Sequence, residues 1–251
     1  SMFRTARITG PTVAGALLAT VGEAWCFTLN GLSFLAVIAC LALMRLPDTP
    51  RPAPQGQFLS RIKAGVAFAW TTPPIRSLLA LVAVTSLFGS SFLVLMPVVA
   101  RAVIGRGADG YSLLMTAAGV GSLAGALILS MRRSAGLWAL RSVAALAFGL
   151  TLILFSLSKT FWLSILLAVP AGLFMILLMA SSNTLVQTLT PDDMRGRVMA
   201  LFAMMFMGMS PFGSLGAGLA AEFIGVGHTL GLCGAVCLCA GLLLGRSRQD
   251  A

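Results

Sequence analysis

An all-α membrane protein with eight membrane-crossing helices is the fold this sequence predicts, and three observations predict it. Only 10% of the 251 residues are charged, against about 25% in a soluble domain, while 58% are hydrophobic and the mean hydropathy is +0.98. Long apolar runs recur along the whole chain, separated by charged connections. The clearest pair lies at 183–225, where one run ends in a turn bearing Asp192, Asp193, Arg195 and Arg197 and the next stays uncharged over 198–221. At 1.5 Å per residue that uncharged run is roughly 36 Å long, enough to cross a hydrocarbon core of about 30 Å.

Charged residues serve as span boundaries. The first run lies between Arg7 and Glu23, with its helix beginning upstream, and the second covers 24–44. Then follow 77–100, 111–131, 142–158, 161–189, 198–221 and 229–245. The fifth and the last are short but within the spanning range where flanking side chains snorkel. Thr190-Pro191-Asp192-Asp193 reads as a helix start, with Thr190 as N-cap and Pro191 at the first helical position. No Asp, Glu, Lys, Arg or His falls inside any of these spans.

The net charge of +10 would ordinarily raise nucleic acid as a partner. Orientation accounts for it instead. With the N-terminus inside and alternate connections on opposite sides, fourteen Lys and Arg fall inside; only Arg101, Arg106 and Lys159 fall outside. That is a positive-inside pattern, so the partner is a lipid bilayer and both chain ends are cytoplasmic. The organisation is two spans in 1–45, a cytoplasmic connection over 46–76 and six spans in 77–251. The connection opens Pro-rich, then places Phe58, Leu59, Ile62, Val66, Ala69 and Trp70 at helical spacing. This is either an amphipathic helix on the membrane surface or a plain tether.

Several function classes are excluded or weakened. The five cysteines have no His or acid placed to complete a metal site, so no metal or cofactor is expected and the thiols are read as packed. No acid, base and nucleophile come together, so the chain is not read as an enzyme. Arg4 and Arg7 before a short apolar run are reminiscent of a signal peptide, but the further runs make a chain cut from something longer the better reading. His228 is either a solvated loop residue or a pH sensor.

An internal repeat gives the architecture. Gly10-Pro11 in the first span matches Ser210-Pro211 in the seventh, and Gly15/Gly22 matches Gly218/Gly225. Four spans separate the two hairpins, as expected for two six-helix halves related by an axis along the membrane normal. The runs A-R-I-T-G-P-T-V-A-G-A-L-L-A (6–19), G-E-A-W-C-F-T-L-N-G-L-S-F-L-A-V-I-A (22–39) and N-T-L-V-Q-T-L-T-P-D-D-M-R-G-R-V-M-A-L (183–201) resemble bacterial major facilitator exporters of the enterobactin-exporter or transmembrane secretion effector group. The resemblance covers the whole chain. It implies a major facilitator fold lacking its first four helices, in the bacterial inner membrane. It also implies an antiporter motif on helix five at Gly10, Pro11 and Gly15, with Ala16 in place of the motif's second glycine. The loop 130–136, S-M-R-R-S-A-G, lacks the Asp usual in the superfamily.

The function this implies is secondary active export of a hydrophobic or amphipathic small molecule, drug-like or siderophore-like, by proton antiport. With no ionisable residue inside a span, the proton carrier belongs to the missing helices. The alternative is a non-transporting eight-helix membrane scaffold or partner subunit. Span midpoints fall at Thr12, Ser90, Ser122, Met175, Met209 and Ser210, which form either a substrate path or ordinary helix packing. Met204, Met205, Met207 and Met209 add a soft apolar surface suited to varied ligands. Asn183, Gln187 and Thr190 share one face near the cytoplasmic mouth, as a gate or as interhelical hydrogen bonds. Asp193, Arg195 and Arg197 complete the gate, the arginines also serving as lipid-phosphate anchors. Gly-x-x-x-Gly at 121/125, 227/231 and 241/245 occurs about as often as chance predicts and carries no weight here.

Overall fold

The computed structural model describes residues 23–43, 58–103, 105–131 and 136–245, and all the regular elements among them are helical. The chain divides into two compact units, Ser1–Gln55 and Gly56–Ala251. In the first, α1 (Glu23–Leu43) matches the second predicted span; the first predicted span lies outside the described residues. Every residue of α1 from Gly31 onward is exposed, Leu32, Phe34, Leu35 and Ile38 among them. A helix apolar on all sides suits a lipid surrounding.

The second unit starts with α2 (Phe58–Thr71), which gives way at Thr72 to α3 (Pro73–Gly89). α3 leads into α4 (Ser91–Val98) and a π-helical turn, Val99–Val103. α5 (Gly107–Met131) and α6 (Leu137–Leu157) follow, then the long α7 (Phe161–Leu189), which packs against both. α8 (Asp192–Ala203) continues through a second π turn, Met204–Gly208, into α9 (Met209–Ile224), and α10 (Val226–Gly245) ends the bundle. Among the described residues six continuous helices are long and apolar enough to cross a membrane, the expected six of 77–251.

Most of these helices start earlier than the charges suggested. Pro73–Ala102 replaces 77–100, Leu137–Leu157 replaces 142–158 and Val226–Gly245 replaces 229–245, so the two short spans lengthen to 21 and 20 residues. Main-chain hydrogen bonds ignore side-chain charge, and a helix runs on through a basic residue whose side chain finds a partner. One expectation fails here. Arg141 lies inside a span, five residues into α6, and is fully buried.

The Thr190 N-cap also fails. Thr190 instead closes α7, its hydroxyl donating back to Val186 O at 2.6 Å, and Pro191 with extended backbone precedes α8. The packed-thiol reading holds for Cys233 and Cys237, which are buried, but Cys40 and Cys239 are exposed. On α2 the expected apolar stripe is split. Ala69 is buried, whereas Ile62, Val66 and Trp70 stay exposed. What seats α2 is Gly65, where an added Cβ would lie 3.0 Å from Arg197 Cβ of α8.

Hydrocarbon supplies no apolar drive for helix association, so close backbone approach must. A Cβ on Gly121 of α5 would collide with the Val169 carbonyl of α7, and one on Gly172 of α7 with the Ala118 carbonyl of α5. α6 and α10 cross where Gly149 and Gly234 face each other, an added Cβ lying 2.9–3.0 Å from the partner's carbonyl oxygen. Gly213 of α9 meets the Leu87 carbonyl of α3 in the same way. The three Gly-x-x-x-Gly pairs dismissed as chance therefore sit in helix contacts: 121/125 on α7, 227/231 on Ser156 and 241/245 on Ala145, Leu146 and Ser142 of α6.

Two apolar clusters fill the bundle, one at each end. The first joins Ile75 and Leu78 of α3, Leu137 of α6, Leu185 and Val186 of α7 and Val198 of α8. The second joins Phe92 and Leu95 of α4, Leu114 of α5, Phe155 of α6 and Leu230 of α10, with Phe92 and Phe155 edge to face at 5.2 Å. Arg76, Arg141, Arg195 and Arg197 thus gather at one end, while Arg106, Lys159 and His228 mark the other.

Candidate functional site

The site residues expected on the helix-five motif, Gly10, Pro11 and Gly15, and Thr12 of the substrate path all lie outside the described residues. The other path residues fall into two groups on separate helix pairs. Ser90 is buried at the break between α3 and α4. Its hydroxyl donates to Leu87 O at 3.4 Å and reaches Ser210 O of α9 at 3.5 Å. Ser210 and its neighbour Met209 are half-buried there. Ser122 of α5 donates to Ala118 O at 3.0 Å and to Gly172 O of α7 at 3.2 Å. Met175, half-buried, stands one turn along α7 from that contact. The Ser90 and Ser122 hydroxyls thus have their donors engaged by carbonyls, in each case including one across a helix crossing.

The methionine surface divides. Met204 and Met207 are 63% and 70% exposed, while Met205 and Met209 are half-buried. Phe206, Phe212, Leu215 and Leu219 extend the exposed side, giving one long apolar face on the span Asp192–Ile224. The π turn Met204–Gly208 lies inside that face. Such a turn inserts one residue into the helix and re-aims the side chains beside it, and it occurs often at functional positions. Nothing in the sequence pattern marks it.

At the opposite end of the same span stand the expected gate residues. Gln187 Nε2 donates to Asn183 Oδ1 at 2.6 Å, so this pair bonds along α7 itself and not between helices. Asp193 is exposed. Arg195 pairs with Asp192 at 2.6 Å, and its Nε and Nη2 donate to Gln187 O and Thr190 O at 3.2 and 3.4 Å. Those are terminal carbonyls of α7, which lack partners within their own helix. Arg197 Nη1 lies 3.2 Å from Met194 Sδ.

Arg141 repeats the arrangement on α10, and the sequence reading missed it. Its Nη2 donates to Leu244 O at 3.0 Å and Gly245 O at 3.2 Å, joined by the Ser142 hydroxyl on Gly245 O at 2.9 Å. The guanidinium also lies 4.9 Å over the Trp138 ring. Two arginines at one end of the bundle thus cap two helix C-termini. The signal was present as Trp138-x-x-Arg141, one turn apart at the head of an apolar run. Among the described residues no group of His, Cys, Asp and Glu is placed to hold a metal ion.

The sequence pattern of one family, described as "Transmembrane secretion effector", matches residues 2–249. The chain belongs to the transmembrane secretion effector family. This places it in the major facilitator superfamily. Curated relatives of the chain include the proteins named "Multidrug efflux pump Tap" from Mycobacterium tuberculosis and Mycobacterium bovis, 26% identical over 250 residues. The match takes in 97% of this chain and 59% of each relative, so the chain spans about three fifths of the length of the relatives it matches.

Proposed function

We propose that this chain is the greater part of an exporter that moves a hydrophobic or amphipathic small molecule out across the bacterial inner membrane. In this reading its helices are numbers five to twelve of a twelve-helix transporter, and both chain ends are cytoplasmic. Export runs by rocking of the two halves around a central site, coupled to proton entry through a carrier on helices outside this chain. The family match and the likeness to a multidrug efflux pump support transport in general.

The observation that carries the cargo class is the exposed face bearing Met204, Phe206, Met207 and Phe212. Polarizable, unbranched methionine adapts to ligands of different shape, and an uncharged apolar face selects apolar ones. Ser90, Ser122, Met175, Met209 and Ser210 border the path, and Asn183, Gln187, Asp193, Arg195 and Arg197 form its cytoplasmic gate.

The test is an efflux assay of the complete protein in a transporter-deficient bacterium. Cells expressing it should accumulate less of a cationic or neutral hydrophobic dye, and a protonophore should abolish the difference. Met207→Lys places a charge on the proposed cargo face and should remove export while leaving membrane insertion intact. Unchanged accumulation across a panel of dyes and siderophore-like compounds would overturn the reading.

A further inference from the structure

At the end of the bundle opposite the four arginines, a cavity of about 790 Å³ opens between the last turns of α6 and the first turns of α10. That volume is within the range of roughly 300–1,000 Å³ found for sites that hold small organic ligands. Its walls include Ile153, Ser156 and Leu157 of α6, and Gly227, Gly231 and Ala235 of α10. Gly227, Gly231 and Ala235 share one face of α10; Ser156 of α6 packs over the two glycines, an added Cβ on Gly231 meeting its Oγ at 3.0 Å, and the open part of the cavity lies past them beside Leu157, Leu232 and Ala235. From Gly227 to Ala235 this face runs about 12 Å into the apolar part of the bundle. The cavity reaches inward to the buried Val99, Phe155 and Leu230 and opens outward where Leu157 and Leu232 on its rim are 70% and 58% exposed.

The mouth has a different chemistry. Lys159, in the short turn after α6, is exposed and has no ion pair among the described residues. His228 faces the same mouth, and its Nδ1 bonds to Ile224 O at 2.9 Å. A carbonyl only accepts, so Nδ1 carries the proton in this contact. Ser156 and Ser158 are engaged elsewhere, on Ile153 O at 2.7 Å and on Ser164 Oγ at 2.9 Å. The mouth therefore offers one uncompensated positive charge above a greasy, laterally open trough.

We propose that this groove is a binding site for an anionic phospholipid. One acyl chain lies in the trough along Leu157, Leu232 and Ala235, and the phosphate sits on the Lys159 ammonium with His228 beside it. The reasons are the sideways opening to the bilayer, the apolar floor, and the charge placed at the level where a headgroup phosphate would be. The site is independent of the exported compound and of the methionine-bearing face.

The full chain, purified in mild detergent and stripped of lipid, tests this by native mass spectrometry with phosphatidylglycerol and phosphatidylcholine of matched acyl chains. Phosphatidylglycerol should be retained in preference, one molecule per chain. Lys159→Ala should weaken it about 5-fold and erase most of the preference over phosphatidylcholine, from the ~1 kcal/mol attributed to one basic residue near a membrane phosphate. Ala235→Phe fills the trough away from the tight Gly231–Ser156 contact and should remove retention of both lipids, with helical content unchanged by circular dichroism. Equal retention of the two lipids, indifference to both variants, or full displacement by inorganic phosphate alone would each overturn the proposal.

Discussion

Arg141 carries its guanidinium into the bundle at the start of α6 and donates it to main-chain carbonyls at the end of α10. Terminal carbonyls have no partner inside their own helix, and in a low-dielectric setting leaving them unmet is costly. Arg141 and Ser142 share Gly245 O, with Leu244 O also taken by Arg141. Hydrogen bonds from a charged donor are worth about 1.5–3 kcal/mol, against about 0.5–1.5 for a neutral one. Arg141→Ala should therefore destabilise the purified chain by about 2–3 kcal/mol and Ser142→Ala by less than half of that, read by thermal unfolding in detergent. Equal effects would mean that capping is not what holds the end of α10. The presence of Arg141 was plain in the sequence, but its burial was not. Taking each charge as a span boundary assumes that charges stay in water, and Arg141 escapes that assumption because its partners come from a helix about a hundred residues away.

At the scale of the helix, glycines set how closely the spans pack. Gly213 and Gly216 sit on the same helix, one turn apart, yet an added Cβ meets the Leu87 carbonyl at the first and nothing within 4 Å at the second. Gly213→Ala should force α3 and α9 apart and lower the yield of folded protein. Gly216→Ala should be neutral or slightly stabilising, since alanine favours helix by about 1 kcal/mol over glycine. Fluorescence-detected size exclusion of the two variants compares them directly, and equal profiles would remove the close-approach argument. Between α9 and α10, Gly225 takes φ +83°, a conformation that other residues resist, and lets the chain reverse within a single residue. Helix identity and order were legible from apolar runs. Which glycines lie at crossings was not, because a Gly-x-x-x-Gly spacing looks the same on a lipid-facing side as on a packed one. The two π turns were equally hidden, since a single inserted residue leaves no compositional trace.

For the whole molecule the alternation of helix ends matters most. The described arginines of α3, α6 and α8 gather at one end, with Arg106 and Lys159 at the other, where Arg106 lies 4.5 Å over the Phe161 ring. On the proposed orientation the arginine-rich end is cytoplasmic. In a chain with its native cysteines replaced, Lys159→Cys should react with a membrane-impermeant maleimide on intact cells. Asp193→Cys should react only after permeabilisation, and the reverse pattern would invert the proposed topology.

Composition, apolar run length and the distribution of basic residues by themselves determined an all-helical membrane protein and the order of its spans. They could do so because the bilayer judges each helix singly, by length and polarity. What only the tertiary structure decided is which surfaces those helices turn toward one another. It placed the Ser90 and Ser122 hydroxyls on neighbouring carbonyls, left the methionine face open and buried Arg141. Those outcomes depend on backbone approaches between residues far apart in the chain, and no local pattern records them.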